Sequence, residues 1–250
     1  MKAIVIREFG PPGVLKLEEV PTPEPGPGEV LLKVHAVSVN RTLDCKVRAG
    51  KYARPVKLPL VPGVDPSGTV VKVGEGVTDR KVGDRLTTAL RIAGGDASGA
   101  DAIRLMGVHA WGGYAEYVRA NAATTSIIPD GVDFATATVV TRHAPTAMHL
   151  LADHAKVQPG EWVLVMGAAG GLGSAGVQVA KHLGARVIAA AGSDDRVQVG
   201  LDLGADAGVN YRAQDLTIEA MRITEGKGVN VVFENIGDPE LFPKAFGAIN

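Results

Sequence analysis

The fold is decided by the stretch Trp162-Val-Leu-Val-Met-Gly-Ala-Ala-Gly-Gly-Leu-Gly173, an apolar run that leads into a glycine turn. The five residues Trp162–Met166 predict a buried strand, and the small residues after the turn predict a helix that Gly184 can end. Glycine suits a sharp turn and the close approach of a diphosphate, and a helix N-terminus favours an anion. Read as G-x-G-x-x-G with Ala168 at the first position, the segment predicts a dinucleotide site. The alternative is a glycine turn that only packs the helix on the strand.

Downstream of this turn, strands and helices continue to alternate. Three more strands are predicted, at Arg186–Ala191, Ala207–Asn210 and Val229–Phe233. The helices between them are predicted to end at Gly204 and to lie near Leu216–Thr224. Repeated strand–helix units imply a parallel, doubly wound α/β sheet. Such a fold expects six strands and we count four, with residues 245–250 predicted to lie in the next crossover helix. We therefore expect an incomplete second domain in a C-terminally truncated chain, less stable and less active than a longer version.

The first half of the chain has a different pattern, with short β-like runs separated by Gly and Pro. Strands are predicted at Lys2–Arg7, Glu29–Val39, Ser67–Gly74 and Ala115–Arg119. The segment Pro21–Gly28 has four prolines and two glycines and predicts a surface loop, and Ala93–Ala110 predicts a loop insertion. We expect a β-rich domain over residues 1–125 and the α/β domain over residues 126–250.

The composition excludes several classes of protein. Of 250 residues, 26 are Lys or Arg and 27 are Asp or Glu, so no broad field attracts nucleic acid or anionic lipid. A hydrophobic share of 46% argues against disorder, and a single cysteine, Cys45, excludes an intrachain disulfide. The apolar run Met1–Ile6 is too short for a signal peptide, and glycines interrupt Trp162–Ala180 too often for a membrane span. We expect a cytoplasmic protein with no nucleic-acid or membrane partner.

The end of the second parallel strand indicates which dinucleotide binds. An NAD site has an acidic residue about 20 positions beyond the glycines, where this chain has Ser193. Gly192 and Ser193 leave room for a 2′-phosphate, and Arg196 can pair with it. Asp194 or Asp195 can instead take the NAD role, or both can be first-turn acids of a helix capped by Ser193. The pattern favours NADP over NAD.

Six further segments carry specific motifs. They are Ser38–Asp44 (SVNRTLD), Arg48–Tyr52 (RAGKY), Pro62–Val70 (PGVDPSGTV), Val82–Arg85 (VGDR), Gly112–Tyr117 (GGYAEY) and Val209–Arg212 (VNYR). With the glycine turn, they resemble the medium-chain dehydrogenase/reductase superfamily, and within it the zinc-free quinone oxidoreductase group, along essentially the whole chain. The resemblance implies a GroES-like β-rich catalytic domain, a Rossmann domain, a substrate cleft between them, and a homo-oligomer, either a dimer or a tetramer.

The candidate cofactor residues come from the turn and from the resemblance. The glycine turn supplies Ala169, Gly170, Gly171, Leu172 and Gly173. The resemblance implies that Gly192, Ser193, Arg196 and Tyr211 surround the 2′-phosphate and that Thr146 approaches the nicotinamide. Asn235 and Gly237 follow the fourth strand, and ligands bind at the carboxyl ends of strands in open α/β sheets.

Zinc is not expected. The zinc-dependent alcohol dehydrogenases of the superfamily use a Cys, a His-Glu pair and a further Cys or Asp. This chain has Asn40, Val64-Asp65 and Arg142 in the matching places, and no cysteine near residues 92 to 110 for a structural zinc. The chain also has histidines at His143, His149 and His154. Their spacing of six and five residues does not place them on one face of a helix at the spacing of metal ligands.

Without zinc, we expect an NADPH-dependent reductase of quinones or α,β-unsaturated carbonyls, acyl thioesters included. A donor must then polarise the carbonyl oxygen, and Tyr52 and Asn40 match cleft-lining positions of the family, with Tyr52 or water as proton source. Alternatively, Asn40 caps a turn and Tyr52 packs, while Asp44 is expected to hold the loop through backbone hydrogen bonds. The functional alternatives are a zinc-type alcohol dehydrogenase and a non-catalytic nucleotide-binding or RNA-binding protein, although the near-neutral charge weighs against RNA.

Overall fold

The computed structural model describes residues 1–89, 104–250 and the backbone of residues 91–92. The chain forms two compact units, Met1–Arg142 and His143–Asn250. The predicted loop over Ala93–Ala110 lies outside the described residues as far as residue 103. Over the described ranges, no helix is both long enough and apolar enough to cross a membrane.

The first unit is built mainly from antiparallel strands. They are β1 (Lys2–Val5), β2 (Lys16–Glu19), β3 (Glu29–Ala36), β4 (Ser67–Val73), β5 (Arg85–Thr88), β6 (Arg91–Ile92), β7 (Arg104–Leu105), β8 (Tyr117–Asn121) and β9 (Thr125–Ile127). A five-stranded sheet has the order β8-β3-β4-β5-β9. Its core includes Val30, Leu32, Val70, Leu86 and Val118. Val30 and Leu32 are two residues apart on β3, the strand repeat that puts both side chains on one face.

Several elements of this unit differ from the sequence-based expectation, which had four strands here and did not include β2, β5, β6, β7 or β9. The strand β8 begins at Tyr117, whereas the sequence predicted Ala115–Arg119, because the pairing with β3 runs from Tyr117 to Asn121. A helix, α1 (Arg41–Arg48), was not predicted. Its apolar face consists of Leu43 and Val47, four residues apart, and a pattern of one turn in eight residues is too short to identify a helix from the sequence.

The division between the units falls later than residues 125 and 126. It lies between Arg142 and His143, inside the helix α2 (Phe134–Met148). Strand β9 pairs with β5 and so extends the first sheet. The first turns of α2 are bonded to the same sheet, since Thr138 Oγ1 donates to Ser67 Oγ in β4 at 2.8 Å. Side-chain hydrogen bonds that the sequence does not reveal therefore hold this segment to the first unit.

The helix α2 continues into a π-helical turn over His149–His154. The Ala155 N–H donates to Leu150 O, five residues back, at 2.9 Å. Pro145 lies inside α2, where its missing N–H removes one bond of the regular ladder. A turn that closes over five residues brings residues five apart onto one face, whereas an α-helix separates them by about 140°. The expectation that the two histidines at the ends of this turn lie on different faces is therefore wrong.

The second unit alternates strands and helices. In order, they are β10 (Trp162–Met166), α3 (Gly171–His182), β11 (Arg186–Ala191), α4 (Asp194–Asp202), β12 (Ala207–Asn210), α5 (Leu216–Ile223), β13 (Val231–Phe233) and α6 (Leu241–Phe246). The strands are parallel in the order β12-β11-β10-β13, which is the 3-2-1-4 arrangement of a doubly wound dinucleotide fold. The predicted α/β class with a parallel sheet is confirmed.

Strand β10 is the centre of this unit. Val163 and Val165 belong to one buried cluster, while Leu164 and Met166 belong to another, so successive side chains enter cores on opposite faces of the sheet. Burial on both faces explains why its sequence is a continuous apolar run without alternation.

The last residues form a turn and a β-bridge rather than a helix. The helix α6 ends at Phe246, and Gly247 follows it as the C-cap. The Val229 N–H donates to Ala248 O at 2.8 Å, and the Asn250 N–H donates to Val229 O at 3.0 Å. The expectation of a helix through residues 245–250 is wrong beyond Phe246, because this segment pairs beside the residues that lead into β13.

Close packing between α3 and β13 can be tested. A Cβ added to buried Gly176 would lie 2.7 Å from Phe233 Cε1. We expect Gly176→Ala to lower the free energy of unfolding by about 1–3 kcal/mol, although alanine favours a helix by about 1 kcal/mol. Urea unfolding measures the change. Gln178→Ala, on the exposed face of α3, is the matched control with an effect within about 0.5 kcal/mol.

A second variant separates this contact from a general effect on the helix. Adding Phe233→Leu to Gly176→Ala removes the ring atoms that the new methyl group meets, so it should recover part of the loss. A Gly176→Ala variant as stable as the parent chain would contradict the packing.

Candidate functional site

The glycine turn joins β10 to α3 at the carboxyl end of the sheet. Gly167 has a φ of +61°, in the left-handed region that favours glycine. Its carbonyl oxygen accepts a hydrogen bond from Gly170 N at 2.8 Å. A Cβ on Gly173 would lie only 2.1 Å from Gly167 O, so the helix can start this close to the strand only with glycine at residue 173. The turn lies where the strand order reverses between β10 and β13, the usual ligand position in doubly wound sheets.

The N-terminus of α3 presents backbone N–H groups. Ser174 N donates back to Gly170 O at 2.8 Å and so makes the first α-helical bond. The N–H groups of Gly171, Leu172 and Gly173 precede it, and a helix leaves such groups without intrahelical acceptors. No acidic residue lies in this first turn. The predicted turn residues therefore form an end that favours an anion.

A histidine lies against this turn that the sequence suggested only as a metal candidate. A Cβ on Gly171 would lie 2.5 Å from His143 Nε2, so the imidazole occupies the space that any other side chain at residue 171 would need. The contact joins α2 to α3, which are separated by a strand. The sequence carries no signal for this pairing.

A pocket of about 200 Å³ covers the carboxyl ends of the parallel strands. Its lining residues come from the turns after β10, β11, β12 and β13 and from α4: Gly167, Ala169, Gly170, Ala191, Gly192, Arg196, Tyr211, Asn235 and Ile236. Six of the residues predicted to bind the cofactor are in this set. The other six are not: Gly171, Leu172 and Gly173 form the start of α3, and Ser193 is the N-cap of α4. Thr146 is exposed on α2, and the Gly237 N–H donates to Glu234 Oε1 at 3.1 Å.

Asn235 connects the ends of two neighbouring strands. Its Nδ2 donates to Met166 O, the last residue of β10, at 2.6 Å. Its Oδ1 would lie 3.2 Å from a Cβ on Gly167. Asn235 therefore holds the segment after β13 beside the glycine turn and also forms part of the pocket wall.

Two side chains close over Gly192 at the end of β11. Tyr211 Oη and Arg212 Nε would lie 3.1 and 3.2 Å from a Cβ at this glycine. Arg196 lines the same pocket from the first turn of α4. Arg212 was not predicted as a site residue, although it belongs to the quoted VNYR motif. Two guanidinium groups and a phenol therefore lie near the glycine expected to leave room for a phosphate.

The two acidic residues nearby are engaged in local hydrogen bonds. Asp194 Oδ1 accepts from Asn210 Nδ2 at 2.7 Å. A hydrogen bond from the Ser193 hydroxyl is the main cause that lowers the pKa of Asp195, so this carboxyl is ionised. Ser193 occupies the N-cap position of α4 without a side-chain bond to the helix backbone. Both acids lie in the first turn of α4, as one of the two sequence-based alternatives expected.

In the first unit, Asn40 belongs to a buried polar network. The carboxylate of Asp65, which is 1% exposed, accepts from Ser38 N at 2.9 Å and from Ser38 Oγ at 2.5 Å. Asn40 Nδ2 donates to Ser38 Oγ at 2.7 Å and to Asp65 Oδ2 at 3.1 Å. The two acceptors are themselves 2.5 Å apart and so meet the Asn40 amide group from one side. Asn40 is therefore held in place by the Asp65 network, and its expected role as a donor to the substrate stays a prediction.

Asp44 extends the same network. Its Oδ2 accepts from Asn40 N at 2.7 Å and from Tyr114 Oη at 2.5 Å, so it holds the loop through a backbone bond as expected. Burial raises the pKa of Asp44 against the opposing effect of these hydrogen bonds, and burial with the bond to Asp44 raises the pKa of Tyr114. Within the described ranges, Asp44 Oδ1 and Arg142 Nε are buried without a hydrogen bond. The Arg142 charge opposes the rise in the pKa of Asp44.

Tyr52 is half-buried and packs against the apolar cluster that contains Ile6, Val47 and Leu60. No hydrogen bond to its hydroxyl group is found among residues that the structure describes. The ring therefore contributes to packing, and the hydroxyl group is available for an external acceptor.

The positions that hold catalytic zinc in zinc-dependent alcohol dehydrogenases do not fit a zinc ion here. Val64 is fully buried in the apolar cluster and has no ligand atom in its side chain, and the Asp65 carboxylate accepts hydrogen bonds from Ser38 and Asn40. In the part of the chain with described side chains, no group of three or more His, Cys, Asp or Glu residues could hold a metal ion.

Two family models match the chain. One describes the alcohol dehydrogenase GroES-like domain and matches residues 26–130. The other describes a zinc-binding dehydrogenase and matches residues 171–250. A quinone oxidoreductase of Lama guanicoe is 35% identical over 243 residues, which are 96% of this chain and 68% of that protein.

Solved structures show the same similarity. An NAD-dependent alcohol dehydrogenase is 37% identical with a TM-score of 0.92, over 100% of this chain and 74% of that one. The Escherichia coli quinone oxidoreductase in complex with NADPH is 29% identical with a TM-score of 0.85, over 100% and 70%. The relatives, the family models and the shared architecture show that the chain belongs to the medium-chain dehydrogenase/reductase superfamily. Within it, the chain falls in the quinone oxidoreductase-like group of NAD(P)H-dependent enzymes.

Proposed function

We propose that this chain is an NADPH-dependent reductase of quinones or α,β-unsaturated carbonyls and works without zinc. The observation that carries the proposal is the closed hydrogen-bond network of Ser38, Asn40 and Asp65 at the expected zinc position. Alcohol oxidation in the zinc enzymes depends on a Lewis acid that stabilises a developing alkoxide. A quinone or an enone is already electrophilic, so hydride addition to it needs only positioning and hydrogen bonding.

The preference for NADPH is proposed from the end of β11. Arg196, Arg212 and Tyr211 lie around Gly192, where they can donate to a 2′-phosphate. The acids that an NAD site uses for the ribose hydroxyl groups are instead bonded to Asn210 and Ser193. The NADPH complex of the similar E. coli enzyme supports this assignment.

The residues of the first unit are assigned to substrate binding and proton supply. A bound NADPH supplies hydride to the electrophilic carbon. We assign the accompanying proton to the Tyr52 hydroxyl group, which makes no hydrogen bond within the described part of the chain. Asn40, whose amide group is held by Ser38 and Asp65, is assigned a hydrogen bond to the substrate.

The second candidate is an alcohol dehydrogenase, favoured by the similarity to an NAD-dependent alcohol dehydrogenase structure. A substrate panel separates the two functions. We expect turnover of quinones and enones, faster with NADPH than with NADH and unchanged by a zinc chelator. Alcohol oxidation that a chelator abolishes, with one zinc per chain, would establish the second candidate. NADPH binding without turnover of any substrate would indicate a non-catalytic nucleotide-binding protein.

The phosphate assignment is tested with arginine variants. Arg196→Ala and Arg212→Ala should each weaken NADPH binding about 10- to 100-fold, the effect of losing a hydrogen bond to a charged group, with little change for NADH. Isothermal titration with both cofactors measures the two affinities. Arg222→Ala, an exposed arginine of α5 paired with Glu219, is the matched control and should change neither. Equal losses for NADPH and NADH would remove the phosphate contact.

The proton assignment is tested with Tyr52→Phe. Since general acids contribute about 100-fold or more, kcat should fall by roughly that factor while the NADPH affinity stays the same. Tyr117→Phe, at another half-buried tyrosine of the first unit, is the control. A kcat unchanged by Tyr52→Phe would assign the proton to water and leave Tyr52 a packing role.

A further inference from the structure

We propose that the π-helical turn after α2 carries a binding site for one divalent transition-metal ion, held between His149 and His154. Their Nε2 atoms lie 3.0 Å apart, and their ring centroids are 4.5 Å apart with an angle of 79° between the planes. Only a turn that closes over five residues brings side chains with this spacing together.

Asp153 prepares one of the two ligands. His149 Nδ1 lies 2.8 Å from Asp153 Oδ2, so Nδ1 carries the hydrogen and donates it to the carboxylate. The lone pair of the neutral ring is then on Nε2, the atom that faces His154. A histidine that binds a metal commonly has such a carboxylate on its other nitrogen, where it fixes the tautomer and raises the basicity of the ligand.

The distance between the two Nε2 atoms is close to the distance between two nitrogens that bind the same ion. Nitrogens about 2.0–2.1 Å from a tetrahedral zinc lie about 3.3 Å apart, slightly more than the separation here. In the metal-free chain this contact is a hydrogen bond in which His154 Nε2 donates to His149 Nε2. The ion replaces that hydrogen, so the His154 proton moves to Nδ1 and one ring turns until both lone pairs point to the ion. His149 and His154 are exposed, with 60% of the His149 side chain accessible, so the surrounding structure does not oppose this rotation.

The ligand set selects the class of metal. Imidazole suits zinc, copper and nickel, whereas magnesium and calcium prefer oxygen ligands. No third ligand is found among the residues whose side chains are described, so water completes the coordination sphere. Copper should bind more tightly than nickel or zinc, following the general order of affinities.

This site is independent of the proposed reductase activity. None of its three residues lines the pocket at the carboxyl ends of the parallel strands. An ion that binds both histidines requires the π turn, so binding should stabilise the folded chain by an amount that rises with the logarithm of the free metal concentration above Kd.

The test uses the tag-free 250-residue chain and Cu²⁺ alone as the probe. Equilibrium dialysis should give one tightly bound ion per chain, and its electron paramagnetic resonance spectrum should show coupling to two imidazole nitrogens. The melting temperature should rise with Cu²⁺ concentration. Asp153→Asn should weaken binding about 10- to 100-fold, and His149→Ala and His154→Ala at least as much.

His182→Ala is the matched control, since His182 is exposed at the end of α3 and should leave binding unchanged. Two outcomes would overturn the site. One is wild-type Cu²⁺ affinity in either single-histidine variant of the turn. The other is coupling to one nitrogen only, which would place the ion on a single imidazole.

Discussion

The second unit depends on the contact between the Gly167 carbonyl oxygen and residue 173. Because a Cβ at residue 173 would lie 2.1 Å from that oxygen, α3 can begin directly at the end of β10 only with glycine there. The same requirement recurs along the sheet, where a Cβ on Gly200 of α4 would lie 2.4 Å from Ala189 Cβ of β11. Glycines thus set the distance between helices and sheet. This distance places the free N–H groups of α3 and the side chain of Arg196 at the same edge of the sheet, where the parallel strands have their carboxyl ends.

The first unit depends on a different constraint, the cost of burying a carboxylate. Asp65 is almost fully buried, and an ionised carboxylate in that position requires hydrogen-bond donors. Ser38 and Asn40 supply them, and this requirement fixes the orientation of the Asn40 amide group. The position of the Asn40 amide group is therefore a consequence of satisfying the hydrogen-bonding needs of Asp65.

The sequence predicted those features that depend on neighbours along the chain. The glycine turn, the parallel strands and most cofactor candidates follow from local pattern, since each strand is followed directly by its turn and helix. The roles of His143 and Arg212 depend on contacts with Gly171 and Gly192, which are distant in sequence. Likewise, the contact of Asn40 with Asp65 joins residues that are 25 positions apart and could not be predicted from local pattern. The spacing argument for the histidines assumed α-helical geometry, and the hydrogen bond from Ala155 to Leu150 replaces it with a π turn.

The number of charged residues near Gly192 does not decide between NAD and NADP. Asp194, Asp195, Arg196 and Arg212 sum to zero charge, so the net field near Gly192 favours neither a phosphate nor a hydroxyl group. Interactions between exposed charges are also largely screened beyond about 10 Å at ordinary ionic strength, which leaves nearby contacts to decide. Asp194 is bonded to Asn210 and Asp195 to Ser193, whereas Arg196 lines the pocket and Arg212 lies against Gly192. Orientation, and not charge count, is thus the physical basis of the proposed preference for a 2′-phosphate.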